Sequence, residues 1–269
     1  ISFQTSDIAR FSMILFLASY IDNNYKYMQQ FVKGLVIPLL AISPIAFMVI
    51  IQPDNSTTLI LLMIAFTLLF VGGVSFFQLA TIGLLSVGTI GIFILNEKNY
   101  ALGRILSFID PSSSASIGYQ SNQALIGLKQ GGWTGMGIGE SIQKYSYLPE
   151  THTDFIFAII GEEMGFITGS VLMLVYYIIF YRAVQISKRS NDIFGIMLSI
   201  GFGLSITIYA FINIGVVIGI IPVTGVPLPF VSYGGSSLII NLMMVAILLN
   251  ISKAQRKLNV KRWRLRVNA

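Results

Sequence analysis

The stretch DFIFAIIGEEMGFITGSVLMLVYYIIFYR, residues 154–182, is long and apolar enough to cross a lipid bilayer as one helix. A helix needs about 20 mostly apolar residues to span the hydrocarbon core. Similar runs recur along the 269 residues, and the candidate spans are 8–21, 31–51, 57–71, 76–95, 154–181, 193–221 and 230–251. The sequence therefore predicts an all-α protein, a polytopic transmembrane helical bundle with seven spans.

The composition supports a membrane protein and argues against a nucleic-acid binder. Hydrophobic residues make up 55% of the chain and charged residues only 10%, whereas soluble domains carry about 25% charged residues. The formal net charge of +6 comes from the tail, residues 252–269, because the rest of the chain sums to −1. A basic segment after the last span is typical of a cytoplasmic tail facing anionic lipid.

The basic residues also predict which side of the membrane each loop faces. Short cytoplasmic loops collect Lys and Arg, so the tail, Arg182 and Arg189 are placed inside. Counting back along the spans puts the 58-residue loop 96–153 on the extracytoplasmic side. We therefore predict a single transmembrane domain over residues 1–269 with one large outer loop.

Two familiar kinds of site are excluded by residue usage. Cysteine is absent and His152 is the only histidine, so thiolate metal sites and a histidine metal cage are impossible, and a Ser-His-Asp triad would have to use His152. The glycines between residues 127 and 139 do not form a phosphate loop, because the required lysine and the preceding strand are missing. They indicate tight turns in a packed loop.

Asp154 is the leading candidate for chemistry. It stands at the outer end of a predicted helix, where the positive end of the helix dipole favours a charged carboxylate. In a purely structural alternative, Thr153 or Asp154 only caps the helix. Capping does not account for Glu150, His152 and Asp154 lying within five residues beside the membrane. A carboxylate there can accept a proton from a sugar or water hydroxyl.

Other ionisable residues in the spans allow more than one interpretation, since charge inside a membrane is costly and often functional. Glu162 and Glu163 lie roughly 12 to 14 Å further along the same helix. They are buried structural acids, catalytic acids or the proton relay of a transporter. Asp7 and Arg10 are three residues apart on one helical face and are interpreted as a structural ion pair.

The outer polar segments suggest a substrate cavity. Arg104, Lys129 and Lys144 are each either a phosphate ligand or a surface residue. The turn PVTGVPLPFVSYGGSS, residues 222–237, exposes backbone polar groups, which lipid tolerates only against protein or a wet cavity. We therefore predict an outward-open cavity beside Asp154. The candidate substrate-binding residues are Arg104, Gln143, Lys144, Glu150, His152, Ser232, Tyr233 and Ser236.

These motifs together resemble a known family. Residues 147–165, YLPETHTDFIFAIIGEEMG, and the segment from Asn213-Ile-Gly through the turn at 222–237 are similar to signatures of the SEDS proteins (shape, elongation, division and sporulation), the family of FtsW, RodA and SpoVE. Gln52-Pro-Asp54 supports the resemblance, which extends over nearly the whole chain. Gly132-Trp133 looks more like FtsW than RodA. Family members have more spans than seven, so the resemblance implies that N-terminal helices are missing here.

The resemblance implies a peptidoglycan glycosyltransferase that polymerises lipid II into β-1,4 glycan strands during cell division or septum formation. The expected location is the outer face of the bacterial cytoplasmic membrane. The resemblance also places the essential carboxylate at Asp154, which would be the base for the acceptor 4-hydroxyl, while Arg104 and Lys144 would hold the diphosphate. No organic cofactor is expected, and a divalent cation, Mg²⁺ or Mn²⁺, would assist at the diphosphate.

The implied partners are a class B penicillin-binding transpeptidase, other divisome proteins, the nascent glycan strand and membrane lipids, with no nucleic acid. Two other functions stay open at this point. One is a lipid II flippase or other transporter that uses Glu162 and Glu163 as relays. The other is a non-catalytic membrane scaffold for the transpeptidase.

Overall fold

The computed structural model describes residues 4–52, 54–83, 117–146 and 153–267. Within these ranges every regular element is helical, in agreement with the all-α prediction. The remainder of the predicted outer loop, together with most of the predicted span 76–95, lies outside the described residues.

The helices follow the apolar runs of the sequence. A short 3-10 turn, Tyr25–Tyr27, follows the first helix, and a π-helical turn, Phe31–Val36, leads into the second. The helices are α1 Thr5–Asn24, α2 Ile37–Ile51, α3 Asn55–Val71, α4 from residue 76 and described to residue 83, α5 Ile117–Gly131, α6 Gln143–Ser146, α7 Ile156–Arg189, α8 Ile193–Val217 and α9 Gly235–Val267.

Four helical segments of the described chain are long and apolar enough to cross a membrane. They are Phe31–Ile51, Ile156–Arg189, Ile193–Val217 and Gly235–Ala254. Helix α3 is equally apolar in character but has 17 residues. The chain is therefore a helical membrane protein, and each of these helices coincides with a span predicted from the sequence.

The described chain forms two compact units. The first comprises Ile1–Thr81, Ile178–Ile206 and Gly235–Ala269. Its interior is apolar, and Gly201 allows close helix packing, since a Cβ at that position would lie 2.6 Å from Cγ2 of Ile14. Small residues at such contacts are typical of membrane helix interfaces. Buried side chains of this unit include Met13, Ile14, Leu17, Ile21, Leu61, Ile64 and Leu68.

A buried ionic cluster joins α1 to the start of α9 within this first unit. Arg10 Nη2 donates to Asp7 Oδ1 at 3.2 Å and to Asn241 Oδ1 at 3.1 Å. Ser236 Oγ donates to Asp7 Oδ2 at 3.4 Å and accepts from the N–H of Gln4 at 3.1 Å. Arg10 is fully buried. A buried charge is tolerated only when it is paired and hydrogen-bonded, as it is here.

The second unit comprises Ile82–Tyr177 and Thr207–Gly234, and within it α7 is broken. Gly165 has φ 77° and ψ 179°, which are not helical values. The carbonyls of Glu162 and Glu163 consequently accept hydrogen bonds from outside the helix. Their donors are the N–H groups of Met136 and Gly137, each at 3.0 Å.

The exchange of hydrogen bonds is reciprocal. Beyond the break, the N–H groups of Phe166 and Ile167 donate to the carbonyls of Gly132 and Trp133 at 2.9 and 3.3 Å. A break in a membrane helix would otherwise leave these four groups unsatisfied, at a cost of several kcal/mol each in lipid. The loop 131–137 therefore completes the helix; residues 131–137 and 162–167 are called the loop–helix junction below.

The glycines of this loop allow its backbone to lie directly against the backbone of α7. A Cβ on Gly131 would lie 2.0 Å from the carbonyl oxygen of Gly161, and one on Gly135 would lie 2.1 Å from that of Glu163. Gly135 and Gly137 also have positive φ values of 85° and 120°. Turn formation, which the sequence indicated, is thus one of two reasons for glycine here, and close backbone approach is the other.

Gly131→Ala is expected to lower the free energy of unfolding by about 1 to 3 kcal/mol or more, because the added methyl group overlaps the backbone at Gly161. Gly131 has no positive φ, so the effect isolates steric overlap from backbone strain. Gly83→Ala is the matched control, since none of the described residues lies within 4 Å of a Cβ built there. Equal thermal unfolding temperatures for the two variants in detergent would contradict the junction.

Candidate active site

Asp154 lies in the turn that precedes α7, with its side chain half-buried. It faces the segment 218–234, which joins α8 to α9 and is called the connecting segment. A Cβ on Gly225 of this segment would lie 3.5 Å from Asp154 Oδ2. The carboxylate is therefore close to the connecting segment without being fully covered. A carboxylate in this position can accept a proton from a bound hydroxyl.

The backbone of the connecting segment is constrained. Pro222, Pro227 and Pro229 each have a fixed φ. Phe230 has φ 67°, a left-handed conformation that is rare for a bulky residue and costs about 1 to 3 kcal/mol. Pro229, the residue before Phe230, is held in place by the hydroxyl of Tyr176, which donates to the Pro229 carbonyl. Strain of this kind persists where the surroundings fix it, and it clusters at functional sites.

Asn213 connects the backbone at Asp154 to the connecting segment. It lies on α8 and is 1% exposed. Its Nδ2 group donates to the carbonyls of Asp154 and Val226, both at 2.7 Å. An amide nitrogen has two hydrogens, and both acceptors are carbonyl oxygens, so these two bonds fix the orientation of the amide.

Ser232 makes a second connection. Its Oγ donates to the carbonyl of Thr153 at 2.5 Å and accepts from the N–H of Leu228 at 2.7 Å. The carbonyls before and after the Cα of Asp154 are therefore both bound by side chains from elsewhere in the chain. The Ser232 hydroxyl, which the sequence predicted to bind substrate, is hydrogen-bonded to the protein backbone next to the candidate carboxylate.

Glu162 is fully buried and holds the loop that precedes α6. Its carboxylate accepts from Ser141 Oγ at 2.5 Å and from the N–H of Ile142 at 3.1 Å. Ser141 Oγ in turn accepts from the N–H of Lys144 at 3.2 Å, at the start of α6. Glu163 is half-buried, and its Oε1 has no partner among the residues that the structure describes. A structural role is thus visible for Glu162.

The family model for FtsW, RodA and SpoVE, described as cell cycle protein, matches residues 1–257. The chain belongs to this family. It is 40% identical over 258 residues to stage V sporulation protein E of Bacillus subtilis (strain 168), a match covering 95% of this chain and 70% of that protein. It is 34% identical over 252 residues to the probable peptidoglycan glycosyltransferase FtsW of Aliivibrio salmonicida (strain LFI1238), covering 92% and 63%.

Solved structures have the same SEDS fold. A chain from a peptidoglycan synthase complex, whose structure concerns the coordination of polymerization and crosslinking, matches with TM-score 0.76 and 26% identity over 95% of this chain and 71% of that one. The rod shape determining protein RodA of Thermus thermophilus matches with TM-score 0.60 and 24% identity, covering 95% and 67%. The family expected from the sequence motifs is confirmed. The chain spans 63% of the Aliivibrio relative's length.

The other nominated substrate-binding residues of this SEDS chain fall in different surroundings. Lys144 is exposed, and Tyr233 is 84% exposed. Gln143 is buried, and Ser236 belongs to the buried cluster around Asp7. Lys144 and Tyr233 are therefore accessible to a ligand, whereas Gln143 and Ser236 face protein.

Three nominated residues, Arg104, Glu150 and His152, lie outside the described residues, and their roles stay predictions. In the part of the chain that the structure describes, no group of three or more His, Asp or Glu residues is suited to a metal ion.

Sequence reasoning placed Asn213 in a family motif but assigned it no role. A signal was present, because an amide in the apolar run of α8 is expected to have a hydrogen-bonding partner inside the membrane protein. Its partners could not be read from the sequence, since Asp154 is 59 residues away.

Proposed function

We propose that this SEDS chain polymerises lipid II as a peptidoglycan glycosyltransferase, with Asp154 as the general base. The observation that carries the proposal is the accessible carboxylate whose flanking carbonyls are bound by Asn213 and Ser232. The names of relatives support it: proteins from Aliivibrio salmonicida and from Coxiella burnetii (strain RSA 493 / Nine Mile phase I), 34% and 36% identical, are each named probable peptidoglycan glycosyltransferase FtsW.

The proposed reaction needs one base and one stabilised leaving group. The 4-hydroxyl of the acceptor sugar gives its proton to Asp154 while its oxygen attacks the anomeric carbon of the donor. The bond from that carbon to the diphosphate breaks, and the polyprenyl diphosphate departs with the electron pair. Attack from the opposite face converts the α-linked donor into a β-1,4 product. Asp154 then returns its proton to water.

Cations would stabilise the departing diphosphate. Arg104 and Lys144 are the proposed ligands, because guanidinium and ammonium groups stabilise charge as it develops on phosphate oxygens. The exposure of Lys144 supports its part of the proposal. A divalent cation, Mg²⁺ or Mn²⁺, is a further proposed source of charge, but no acidic cluster in the described ranges is suited to it. No step above therefore depends on a metal.

The proposed topology has seven spans, an extracytoplasmic loop at 96–153 and a cytoplasmic tail at 252–269. It puts Asp154 at the outer face of the bacterial cytoplasmic membrane, where lipid-linked sugars meet the wall. The proposed partner is a class B penicillin-binding transpeptidase with other divisome proteins. Likeness to a chain of a peptidoglycan synthase complex supports such a partner, and the sporulation and FtsW relatives support work at a septum.

The test is polymerisation of labelled lipid II by the purified protein, alone and with its transpeptidase, with product lengths resolved on a gel. Glycan strands are the expected product. Transport of lipid II across vesicle membranes without any polymer would favour the flippase. Binding of the transpeptidase with neither polymer nor transport would favour the scaffold.

Glu162→Gln separates the polymerase from the transporter. The variant is expected to keep its polymerisation rate and to lose about 1 to 3 kcal/mol of stability, because the carboxylate serves as a buried hydrogen-bond acceptor for the loop. Ser141→Ala, which removes the hydroxyl that donates to the Glu162 carboxylate, is the matched control. A variant of normal stability that no longer transports lipid II would instead make Glu162 a proton relay, and one of normal stability that no longer polymerises it would contradict the structural role.

A further inference from the structure

We infer that Asn213 and Ser232 are positioning residues that fix the direction of the Asp154 carboxylate. The inference rests on the proposed function and adds two residues to it. Neither side chain needs to touch substrate, because each acts on the backbone that carries Asp154.

The two bonds control both peptide planes around Asp154. The carbonyl of Thr153 belongs to the plane before its Cα, and the carbonyl of Asp154 belongs to the plane after it. Peptide groups are rigid, so holding both planes leaves φ and ψ of Asp154 little freedom. The direction of the Cα–Cβ bond, from which the carboxylate extends, is thereby fixed.

Helix α7 does not itself hold the carbonyl of Asp154. In a regular α-helix the N–H of Ala158 would donate to the carbonyl four residues earlier, that of Asp154. Here it donates to Phe155 at 2.9 Å. The Asp154 carbonyl is instead bound by the buried Asn213, which ties it at the same time to Val226 of the connecting segment.

The side chains of Asn213 and Ser232 are chemically suited to hold backbone groups. Asn213 uses both hydrogens of one nitrogen on two carbonyls, so an oxygen in that place would repel both of them. Ser232 uses one oxygen as donor to Thr153 and as acceptor from Leu228. Together they hold the turn before α7 and the connecting segment at a fixed separation.

Variants of a structural residue and variants of a positioning residue differ in how kcat and KM change. Loss of packing lowers the folded fraction, and it affects substrate binding and turnover together. Misdirection of the base leaves the substrate site intact and slows only the chemical step, so kcat falls while KM is kept. Displacement of a catalytic group by about 1 Å can lower the rate about 100-fold.

The experiment measures kcat and KM for lipid II polymerisation with the transpeptidase present in equal amount, and thermal unfolding of the same samples. Asn213→Asp and Ser232→Ala are expected to lower kcat by about 10- to 100-fold with KM changed less than about 3-fold. Ser232→Thr keeps the hydroxyl and is expected to restore most of kcat. Ser205→Ala, a buried hydroxyl on α8 without a partner in the described ranges, is the control and should match the unaltered protein.

Full kcat in both variants, or a rise in KM at constant kcat, would overturn the inference. So would a loss of activity that only follows the folded fraction. If Asn213→Asp does not fold, Ser232→Ala decides, because it leaves α8 unchanged. An unaltered protein that makes no polymer overturns the proposed function as well, whereas an active unaltered protein with active variants overturns this inference alone.

Discussion

Asp154→Asn is expected to lower the polymerisation rate by about 100- to 10,000-fold, the contribution usual for a general base. Asparagine has nearly the shape of aspartate, so the bonds that Asn213 and Ser232 donate to the carbonyls of residue 154 and Thr153 are kept. The uncharged amide of the asparagine cannot take the proton of the acceptor hydroxyl. The measurement is the initial rate of strand formation from labelled lipid II, beside the Kd for lipid II, which should stay within about 3-fold.

Asp192→Asn is the matched control for this change. Asp192 accepts from the N–H of Gly195 at 2.7 Å and thereby caps α8, and asparagine caps a helix about as well as aspartate. The control should polymerise normally. If Asp154→Asn kept more than about a tenth of the rate, a base contribution of the usual size would be absent and the assignment would be wrong.

Asp7→Asn and Arg10→Met are each expected to destabilise the protein by about 3 to 5 kcal/mol, because each change removes one charge of a buried ion pair. Both side chains are almost fully buried, and the ion pair measures 3.2 Å. The measurement is the free energy of unfolding in detergent, from denaturant titration of both variants and the unaltered protein.

The double variant Asp7→Asn/Arg10→Met completes the cycle. It is expected to be more stable than the sum of the single changes predicts, since both charges of the pair are removed together. Arg182→Met is the control, an exposed arginine whose loss should change stability by less than about 0.5 kcal/mol. If the single changes at Asp7 and Arg10 lower the free energy of unfolding no more than this control does, the buried pair does not contribute to stability.

The sequence predicts those features that depend on local pattern. Apolar runs of sufficient length identify α2, α7, α8 and α9 as membrane helices, and motifs around Asp154 identify the family. The position of Asp154 between a polar approach and an apolar run singles it out as well. All of these properties lie within about 20 consecutive residues, the length needed to cross a bilayer.

Features that depend on distant partners could not be predicted. The bond between Ser232 and Thr153 joins residues 79 apart, and the pairing of Ser236 with Asp7 joins residues 229 apart. Two serines four residues apart therefore serve different clusters, which no local pattern distinguishes. The break at Gly165 is similar, because a glycine within a helix is usually tolerated and only the docked loop makes the interruption favourable.

The loop–helix junction has a consequence for how the protein matures. Backbone groups cannot stay unsatisfied in hydrocarbon, so a newly inserted α7 is expected to enter the bilayer as one straight helix that bonds to itself. The interruption then forms when residues 131–137 dock and exchange their hydrogen bonds with it. Membrane insertion and docking of the loop are thus expected to be separate events, and the part of α7 before Gly165 acquires its final direction only in the second.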